Sequence, residues 1–255
     1  MSAEPSGARQ RTTRDPLSIV LVYPGLLGTY GDRGNALVLA YRARRRGIPV
    51  RLVTVAAGEP VPSSADVYVI GGGEDEAQTV AATLLASDGG LVSAVRRGAA
   101  VLAVCAGFQI LGTLFPGIGG AACAGLGLID MRTDPTTQPR AVGELLVEAD
   151  PEAVDLPPLT GYENHAGRSR LGPGITPLGR VRTGIGNGDG TDGALVGSIV
   201  GTYLHGPVLA RNPALADWLL TRAVGAALAP LPSPQVERLR AERLAALGLQ
   251  REVSR

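Results

Sequence analysis

The stretch VLAVCAGFQILG, residues 101–112, places one cysteine between a run of small apolar residues and a segment with helical spacing. The residues before Cys105 predict a buried strand, and those after it, AGFQILGTLF, predict a helix. A nucleophile on a sharp strand-to-helix turn needs small neighbours, and Ala103 and Gly107 stand two residues to either side. Taken alone, the stretch fits a buried structural cysteine equally well.

The alternation of strand and helix extends from this stretch toward the N-terminus. Strand patterns occupy 17–25, 48–55, 65–73 and 99–104, and helical patterns occupy 35–47, 74–86 and 91–98. Such alternation predicts a mostly parallel sheet that is covered on both faces. Beyond residue 125 the pattern changes to short strands and Gly-rich turns, followed by a helix over 212–228. We therefore expect an α/β fold, with a mostly parallel central sheet flanked by helices and an added β-hairpin-rich part.

The composition is that of an ordinary globular protein. A formal net charge of +1 gives no electrostatic argument for binding nucleic acid or an anionic membrane, and with 4% aromatic residues a stacking platform for bases is not expected. Its apolar runs are shorter than the roughly 18 to 20 residues that span a bilayer, and its polar N-terminus does not resemble a signal peptide. Two cysteines, Cys105 and Cys123, do not make a disulfide framework. We expect a cytoplasmic protein.

The chain divides into three predicted parts. Residues 1–16 are polar and are expected to form a disordered leader, residues 17–228 form the main domain, and residues 229–255 form a Pro-led, charged helical tail. The sequence shows no internal repeat and no Walker-type motif G-x-x-x-x-G-K-[ST]. An ATP-driven activity within this chain is therefore not indicated.

Two histidines are candidates for the base that a thiol nucleophile requires. His205 follows the apolar run LVGSIVGTYL, so it lies at a strand end, where α/β sheets collect active-site residues. His165 lies in the polar stretch GYENHAGR, which better suits contact with a ligand. At each position the alternative is a histidine without a catalytic role, whose ring nitrogens are hydrogen-bonded within the core or to solvent. Cys123 does not stand at a predicted strand-to-helix turn and has no histidine near it in sequence, so we interpret it as structural.

The glycine run of VIGGGEDE, residues 69–76, directly follows a strand pattern. Glycines let the backbone approach a ligand closely, and their amides could stabilise an oxyanion together with the amide of Ala106. Because turns also need glycines, the run is weak evidence alone. Beside a predicted nucleophile it supports a catalytic site.

Several separated motifs resemble those of the class I glutamine amidotransferases, in their cobyric-acid-synthase-like branch: VCAGFQILG, VIGGGEDEAQ and GTYLHGPVL. Within this branch the chain is similar to the GatD subfamily through YGDRGN, GYENHAGR and YLHGPVLARNP. Members of that subfamily are glutaminase subunits that act with the Mur-ligase-like MurT in amidating the D-glutamate of lipid II. The resemblance covers roughly residues 17–225.

The resemblance implies a cysteine-based glutaminase. Cys105 would attack the side-chain amide of L-glutamine, giving a thioester and ammonia, and His205 would activate the thiol and protonate the leaving ammonia. The ammonia would pass to a MurT-like, Mur-ligase-family synthetase in a heterodimer. No cofactor or metal is then expected in this chain, and ATP and Mg²⁺ are expected on the partner.

The resemblance also implies which residues bind the substrate. Ala106, with Gly72 or Gly73, would supply the oxyanion donors, and Gln109, in C-x-G-x-Q, would help to position glutamine. A substrate-binding arginine falls on Arg140, in TTQPRAVGE. A solvated loop arginine is the alternative there.

One departure from the family pattern concerns the acid that completes a catalytic triad with the cysteine and the histidine. Many class I glutaminases carry a glutamate two residues after the catalytic histidine, where this chain has Pro207. The first downstream carboxylate, Asp217, lies within a helix pattern. The group that orients the imidazole is thus missing locally, and the resemblance implies that the partner donates it. We then expect the isolated chain to be a poor glutaminase.

Three alternative functions fit parts of the pattern. An amidotransferase for cobyrinic acid would normally carry an ATP-binding domain in the same chain, which this sequence lacks. A cysteine hydrolase or peptidase would share the turn at Cys105 but would not need C-x-G-x-Q. A non-catalytic binding subunit of the same fold would tolerate loss of Cys105 or His205.

Overall fold

The structure is a computed structural model that describes residues 15–248. The predicted leader, residues 1–16, lies almost entirely outside the described residues, and so do residues 249–255 of the predicted tail. Within the tail, a helix spans Pro234–Ala246.

Residues 15–248 form fourteen strands, seven α-helices and a short 3₁₀ helix at Ile118–Gly120. The strands are β1 Leu17–Val22, β2 Val50–Val55, β3 Val67–Ile70, β4 Ala100–Val104, β5 Leu114–Pro116, β6 Ala122–Ala124, β7 Met131–Asp134, β8 Ala141–Ala149, β9 Leu159–His165, β10 Arg168–Leu171, β11 Gly179–Thr183, β12 Thr191–Asp192, β13 Ala194–Val196 and β14 Ile199–Thr202. The helices are α1 Arg33–Arg44, α2 Asp75–Asp88, α3 Gly90–Arg96, α4 Ala106–Leu111, α5 Val208–Arg211, α6 Pro213–Val224 and α7 Pro234–Ala246.

Six strands form the central sheet, in the order β13-β14-β4-β3-β1-β2. All neighbouring pairs are parallel except the edge pair β13–β14. Every residue of β1, β3 and β4 is buried, as expected for parallel strands covered on both faces. The prediction of a mostly parallel central sheet is confirmed.

Two groups of helices pack around this sheet. In one group α1 contacts β1, α5 and α6, and in the other α2 contacts α3 and α4. Helix α4 also packs on β4 and β14. No helix within residues 15–248 is both long enough and apolar enough to cross a membrane.

Two four-stranded sheets follow the central one along the chain, in the orders β10-β7-β5-β6 and β12-β11-β8-β9. The first arises where the sequence pattern predicts that the helix after Cys105 continues to Phe115. Instead α4 ends at Leu111, and Gly112 is extended. A Cβ atom at Gly112 would lie 2.7 Å from the carbonyl oxygen of Met131, so the close approach of β7 requires glycine here.

The contact between α1 and α6 is held by a carboxylate with two arginines. Arg42 Nε donates to Asp217 Oδ1 at 2.6 Å, and Arg46 Nη2 donates to Asp217 Oδ2 at 2.8 Å. The arginine side chains are only 6% and 5% exposed, whereas that of Asp217 is 27% exposed. Burial raises the pKa of Asp217, but the hydrogen bonds from both arginines outweigh burial and lower it below its ordinary value.

We expect Asp217→Asn to lower the free energy of unfolding by about 2–4 kcal/mol at pH 7, because two buried guanidinium groups lose their counter-charge. Since the folded pKa of Asp217 is depressed, this stabilisation is present above the unfolded pKa of about 3.9 and is lost as pH falls through the folded value. Chemical denaturation at several pH values measures the free energy of unfolding of both proteins. The exposed pair Arg182–Glu148 provides the control, because solvent screens this pair and Glu148→Gln should lower the free energy of unfolding far less than Asp217→Asn. Equal losses in the two variants would contradict the expectation.

Candidate active site

Cys105 lies on a strained turn between β4 and α4. Its φ of 52° and ψ of −108° are unusual for a residue with a side chain, and within residues 15–248 only Tyr23 shares a positive φ outside glycine. The turn is tight, since a Cβ atom at Gly107 would lie 2.7 Å from the carbonyl oxygen of Ile70. Such strain costs on the order of 1–3 kcal/mol and is typical of functional positions. This geometry supports the prediction that Cys105 is a nucleophile on a sharp strand-to-helix turn.

His205 reaches Cys105 because β14 pairs in parallel with β4. Thr202 is in register with Val104, and the amide of Cys105 donates to the carbonyl of Thr202 at 2.8 Å. Three residues later, the backbone of His205 exchanges two hydrogen bonds with Tyr162 of β9, at 2.8 and 3.1 Å. The imidazole is buried, and the structure thus places the two predicted catalytic residues together.

Gly72, in the loop after β3, lies against the side chains of both Cys105 and His205. A Cβ atom there would lie 2.8 Å from Cε1 of His205 and 3.4 Å from Cβ of Cys105. The first distance is shorter than atoms of this kind approach, so the imidazole occupies space that only glycine leaves open. The glycine run therefore shapes the site by its lack of side chains.

A carboxylate of this chain lies beside His205. Asp32, in the loop after β1, is fully buried, and its Oδ2 lies 3.5 Å from Nδ1 of His205. The same oxygen accepts the amide N–H of Gly72 at 2.8 Å. No acid follows His205 locally, near Pro207, but the fold brings this carboxylate of the same chain beside the imidazole, and an acid donated by the partner stays a prediction. The carboxylate is far from His205 in sequence and close to it only in the fold.

The neighbours of His205 change its proton affinity. Burial by itself lowers the pKa of His205, but Asp32 and the thiol of Cys105 both favour the imidazolium and together raise the pKa to about 9. At 3.5 Å the contact with Asp32 is an ion pair, and Nδ1 has no well-formed hydrogen bond within the described residues. The ring of Tyr30 packs against the imidazole with 4.5 Å between ring centroids.

The structure distinguishes the two glycines that were alternative oxyanion donors. Gly72 already donates its amide N–H to Asp32, so it is not available to a substrate. The amides of Gly73 and Ala106 have no acceptor among residues 15–248, and both residues line a cavity that opens beside Cys105. The geometry favours Gly73 and Ala106 as the pair of donors.

This cavity has a volume of about 200 Å³ and is mostly lined by residues from the loops around Cys105. Arg140 lies at its edge, where Nε donates to Oδ1 of Asn164 and Nη2 donates to the carbonyl of Asn164 at 3.2 Å. The guanidinium of Arg140 also interacts with the hydroxyl of Tyr30. Asn164 in turn donates to the hydroxyl of Tyr30. Arg140 is thus held at the cavity by Asn164 and Tyr30.

Gln109 lies in the wall of the cavity, but its side chain is part of a buried hydrogen-bond chain. Its Oε1 accepts from Gln78 at 2.9 Å, and its Nε2 donates to the hydroxyl of Tyr203 at 3.0 Å. The hydroxyl of Tyr203 continues to Ser169 at 2.7 Å. Gln109 therefore supports the cavity wall and keeps one N–H for a ligand.

His165 also borders the cavity, yet both of its ring nitrogens are engaged. Nδ1 lies 3.1 Å from the carbonyl of Gly167 and Nε2 lies 3.2 Å from Glu163, while the ring stacks on Tyr203 at 3.7 Å between centroids. Burial raises the pKa of Glu163, but hydrogen bonds from His165 and from the amides of Gly186 and Ile185 outweigh burial and lower it. His165 braces the site and is not placed as the base for Cys105.

Cys123 lies in β6, half-buried, with its sulfur 3.9 Å from the hydroxyl of Thr79. Sequence reasoning assigned no role to Asp32, Tyr30, Asn164 or Tyr203. A signal did exist for Asp32, because the motif YGDRGN follows the first parallel strand, and loops at the carboxyl ends of such strands meet at one edge.

Comparisons with known proteins show the family to which this chain belongs. The sequence model of the CobB/CobQ-like glutamine amidotransferase domain matches residues 18–213. The chain is 35% identical over 201 residues to the lipid II isoglutaminyl synthase (glutamine-hydrolyzing) subunit GatD of Staphylococcus aureus, covering 77% of this chain and 80% of that protein. It is 34% identical over 212 residues to the GatD subunit of Streptococcus pneumoniae, covering 82% and 80%.

More distant similarity extends to larger enzymes and to a solved structure. The chain is 34% identical to the cobyric acid synthase of Sphingopyxis alaskensis over 67% of this chain and 35% of that protein. The crystal structure of a glutamine amidotransferase from Thermotoga maritima aligns with a TM-score of 0.52 at 15% identity, covering 92% of this chain and 95% of that chain. The similarity to the Thermotoga maritima structure shows the fold, and the predicted fold class is confirmed.

Proposed function

Because the chain belongs to the CobB/CobQ-like glutamine amidotransferase family, we propose that it is the glutaminase subunit of an enzyme that amidates the D-glutamate of lipid II. The observation that carries the glutaminase chemistry is Cys105 on a strained turn, beside a buried His205, at a cavity of about 200 Å³. The similarity to GatD subunits extends over more of the chain than the similarity to the cobyric acid synthase. That difference favours lipid II over cobyrinic acid as the acceptor.

Before the first step Nε2 of His205 has taken the thiol proton, so Cys105 is a thiolate beside an imidazolium, and the sulfur then attacks the side-chain amide carbon of L-glutamine. The carbonyl oxygen becomes an oxyanion, which the amides of Gly73 and Ala106 stabilise. When the C–N bond breaks, the nitrogen takes the proton from His205 and leaves as ammonia. The product is a thioester on Cys105.

In the second step water attacks the thioester carbon, and His205 accepts a proton from that water. Collapse of the second oxyanion breaks the C–S bond, so glutamate leaves and the cysteine sulfur regains its proton from His205. Arg140, at the edge of the cavity, binds the α-carboxylate of the substrate through its guanidinium. Gln109 supports the wall against which the glutamine side chain lies.

The ammonia passes to a MurT-like, Mur-ligase-family synthetase that uses ATP and Mg²⁺ to activate the acceptor carboxylate. The two chains act as a heterodimer in the cytoplasm, where ATP is available to the partner. This part of the proposal is supported by the similarity to the GatD subunits.

Capture of the nucleophile by a glutamine analogue tests the proposal. We expect 6-diazo-5-oxo-L-norleucine to add once per chain, at Cys105, as located by peptide mass spectrometry, and L-glutamine to prevent the addition. Cys123 is an internal control, because it is a free thiol outside the cavity lining and should stay unmodified. Absence of labelling at Cys105, both alone and with the partner synthetase, would contradict a glutaminase and favour a binding subunit.

A further inference from the structure

Asn164 lines the cavity beside Cys105 and holds the guanidinium of Arg140 at two points. Nε of Arg140 donates to the side-chain oxygen Oδ1 of Asn164, and Nη2 donates to the backbone carbonyl of Asn164 at 3.2 Å. Two contacts to one planar group fix its orientation as well as its distance. Although Arg140 is exposed, the direction in which its guanidinium lies is therefore set by Asn164.

The pairing of β8 with β9 brings these two residues together. Val142 of β8 stands opposite Asn164 of β9. Arg140 comes two residues before Val142, so it is a diagonal neighbour of Asn164, at a distance that long side chains can bridge. The contact between Arg140 and Asn164 thus follows from the register of the sheet and does not depend on a bound substrate.

The side-chain amide of Asn164 has one orientation that suits its neighbours. A guanidinium only donates hydrogen bonds, so the amide oxygen must face Arg140, and the amide nitrogen is left to donate to the hydroxyl of Tyr30. The ring of Tyr30 packs on the imidazole of His205, with 4.5 Å between ring centroids. The backbone oxygen of Asn164 lies 3.9 Å from the sulfur of Cys105. Asn164 therefore joins the arginine to the surroundings of both catalytic residues.

Asn164 orients Arg140 without cancelling its charge. Asn164 is uncharged, and burial raises the pKa of Tyr30 above its ordinary value of 10.0, so the hydroxyl is neutral as well. Among residues 15–248, Arg140 forms no salt bridge with a carboxylate. A carboxylate at position 164 could accept the same hydrogen bond, but it would pair with the guanidinium and compete with an anionic ligand. The amide thus leaves a positioned positive charge at the edge of the cavity.

We propose that Asn164 is a positioning residue that makes the site selective for substrates with an α-carboxylate, because it holds Arg140 in the orientation that binds this group. The inference rests on the proposed glutaminase function and names a residue that decides its substrate selectivity. Asn164 acts through Arg140 and takes no part in the chemistry at the amide carbon. Loss of the Asn164 amide should therefore weaken recognition of the carboxylate more than it lowers the reactivity of Cys105.

Two thiol reagents separate recognition from reactivity. The glutamine analogue 6-diazo-5-oxo-L-norleucine carries an α-carboxylate, whereas iodoacetamide does not. We measure the rate at which each modifies Cys105 by peptide mass spectrometry, on the full chain, alone and with the partner synthetase. In Asn164→Asp the ratio of the analogue rate to the iodoacetamide rate is expected to fall about 10- to 100-fold, because the new carboxylate neutralises Arg140. A general loss of structure or of thiol reactivity would slow both reagents and leave the ratio unchanged.

Two further variants test whether the effect passes through Arg140. Gln138→Glu is the matched charge control, because it adds a carboxylate at an exposed position two residues before Arg140, and the ratio should stay within about twofold. Arg140→Ala should lower the ratio by itself. Because Asn164 acts through Arg140, adding Asn164→Asp to Arg140→Ala should change the ratio by less than about twofold.

The outcomes distinguish this inference from the proposed function. If Asn164→Asp folds as judged by circular dichroism and keeps the ratio within twofold, or has its full effect in the Arg140→Ala background, Asn164 is not the positioning residue. If Cys105 of the unmodified chain is not labelled by the glutamine analogue, alone or with the partner, the glutaminase function and this inference fail together. If Asn164→Asp does not fold, Asn164→Ala decides, since it removes the Oδ1 acceptor and the ratio must fall by at least about tenfold.

Discussion

Cys105→Ala is expected to abolish glutamine-dependent amidation by the complex with its synthetase partner, by roughly 10⁴-fold or more. The thioester cannot form without the sulfur, and no other thiol faces the cavity among the residues that line it. Amidation of lipid II supplied with free ammonia should persist, because that step needs only the partner. The two rates are compared by mass analysis of the lipid II product.

The control is Cys123→Ala, which removes the other free thiol of the chain and should leave both rates within about twofold. If glutamine-driven amidation persists in Cys105→Ala, Cys105 is not the nucleophile. If neither nitrogen source supports amidation of lipid II by the unmodified complex, the acceptor has been assigned incorrectly. Activity with a cobyrinic acid acceptor would then identify the alternative.

Gly72→Ala is expected to lower kcat/KM for glutamine about 1000-fold while the protein remains folded. The added methyl group would lie 2.8 Å from Cε1 of His205, so the imidazole must move away from Cys105. The same change disturbs the amide that holds Asp32. A displacement of about 1 Å at one reacting group costs on the order of 100-fold, and here more than one group is displaced.

Gly25→Ala is the matched control, because it lies in the loop after β1 and a Cβ atom there meets nothing within 4 Å. It should leave glutamine hydrolysis within about twofold. Circular dichroism and thermal unfolding of both variants show whether the fold is kept. A Gly72→Ala protein that hydrolyses glutamine within about tenfold of the unmodified chain would show that the imidazole is not confined by Gly72.

The parts of the site that lie on one continuous stretch could be predicted from sequence. The apolar run of β4, Cys105 and the small residues around it predict a strand, a turn and a helix by local patterning, and the structure has all three. His205 is predictable from its position after an apolar run and from the scarcity of histidines. Its contact with Cys105 follows from the parallel pairing of β14 with β4.

The local pattern is less informative where tertiary contacts override it. Helical spacing continues past Leu111, but the chain turns at Gly112 because β7 passes too close for a side chain. His165 lies in a polar stretch, which favours contact with a ligand. Its two nitrogens instead face Gly167 and Glu163, which packing of β9 and its following turn brings together.

The sequence by itself determined the parallel α/β core, the sharp turn at Cys105 and the histidine predicted to act with it, because strand periodicity, small neighbours and a rare residue type are local properties. Only the tertiary structure decided which carboxylate lies beside His205 and which glycine amide has no acceptor among the described residues. Asp32 and His205 are 173 residues apart, and their distance of 3.5 Å depends on the order β14-β4-β3-β1 in the sheet. Spacing along the chain carries no record of that order, so the sequence near Pro207 gives no sign of the carboxylate that the loop after β1 places beside His205.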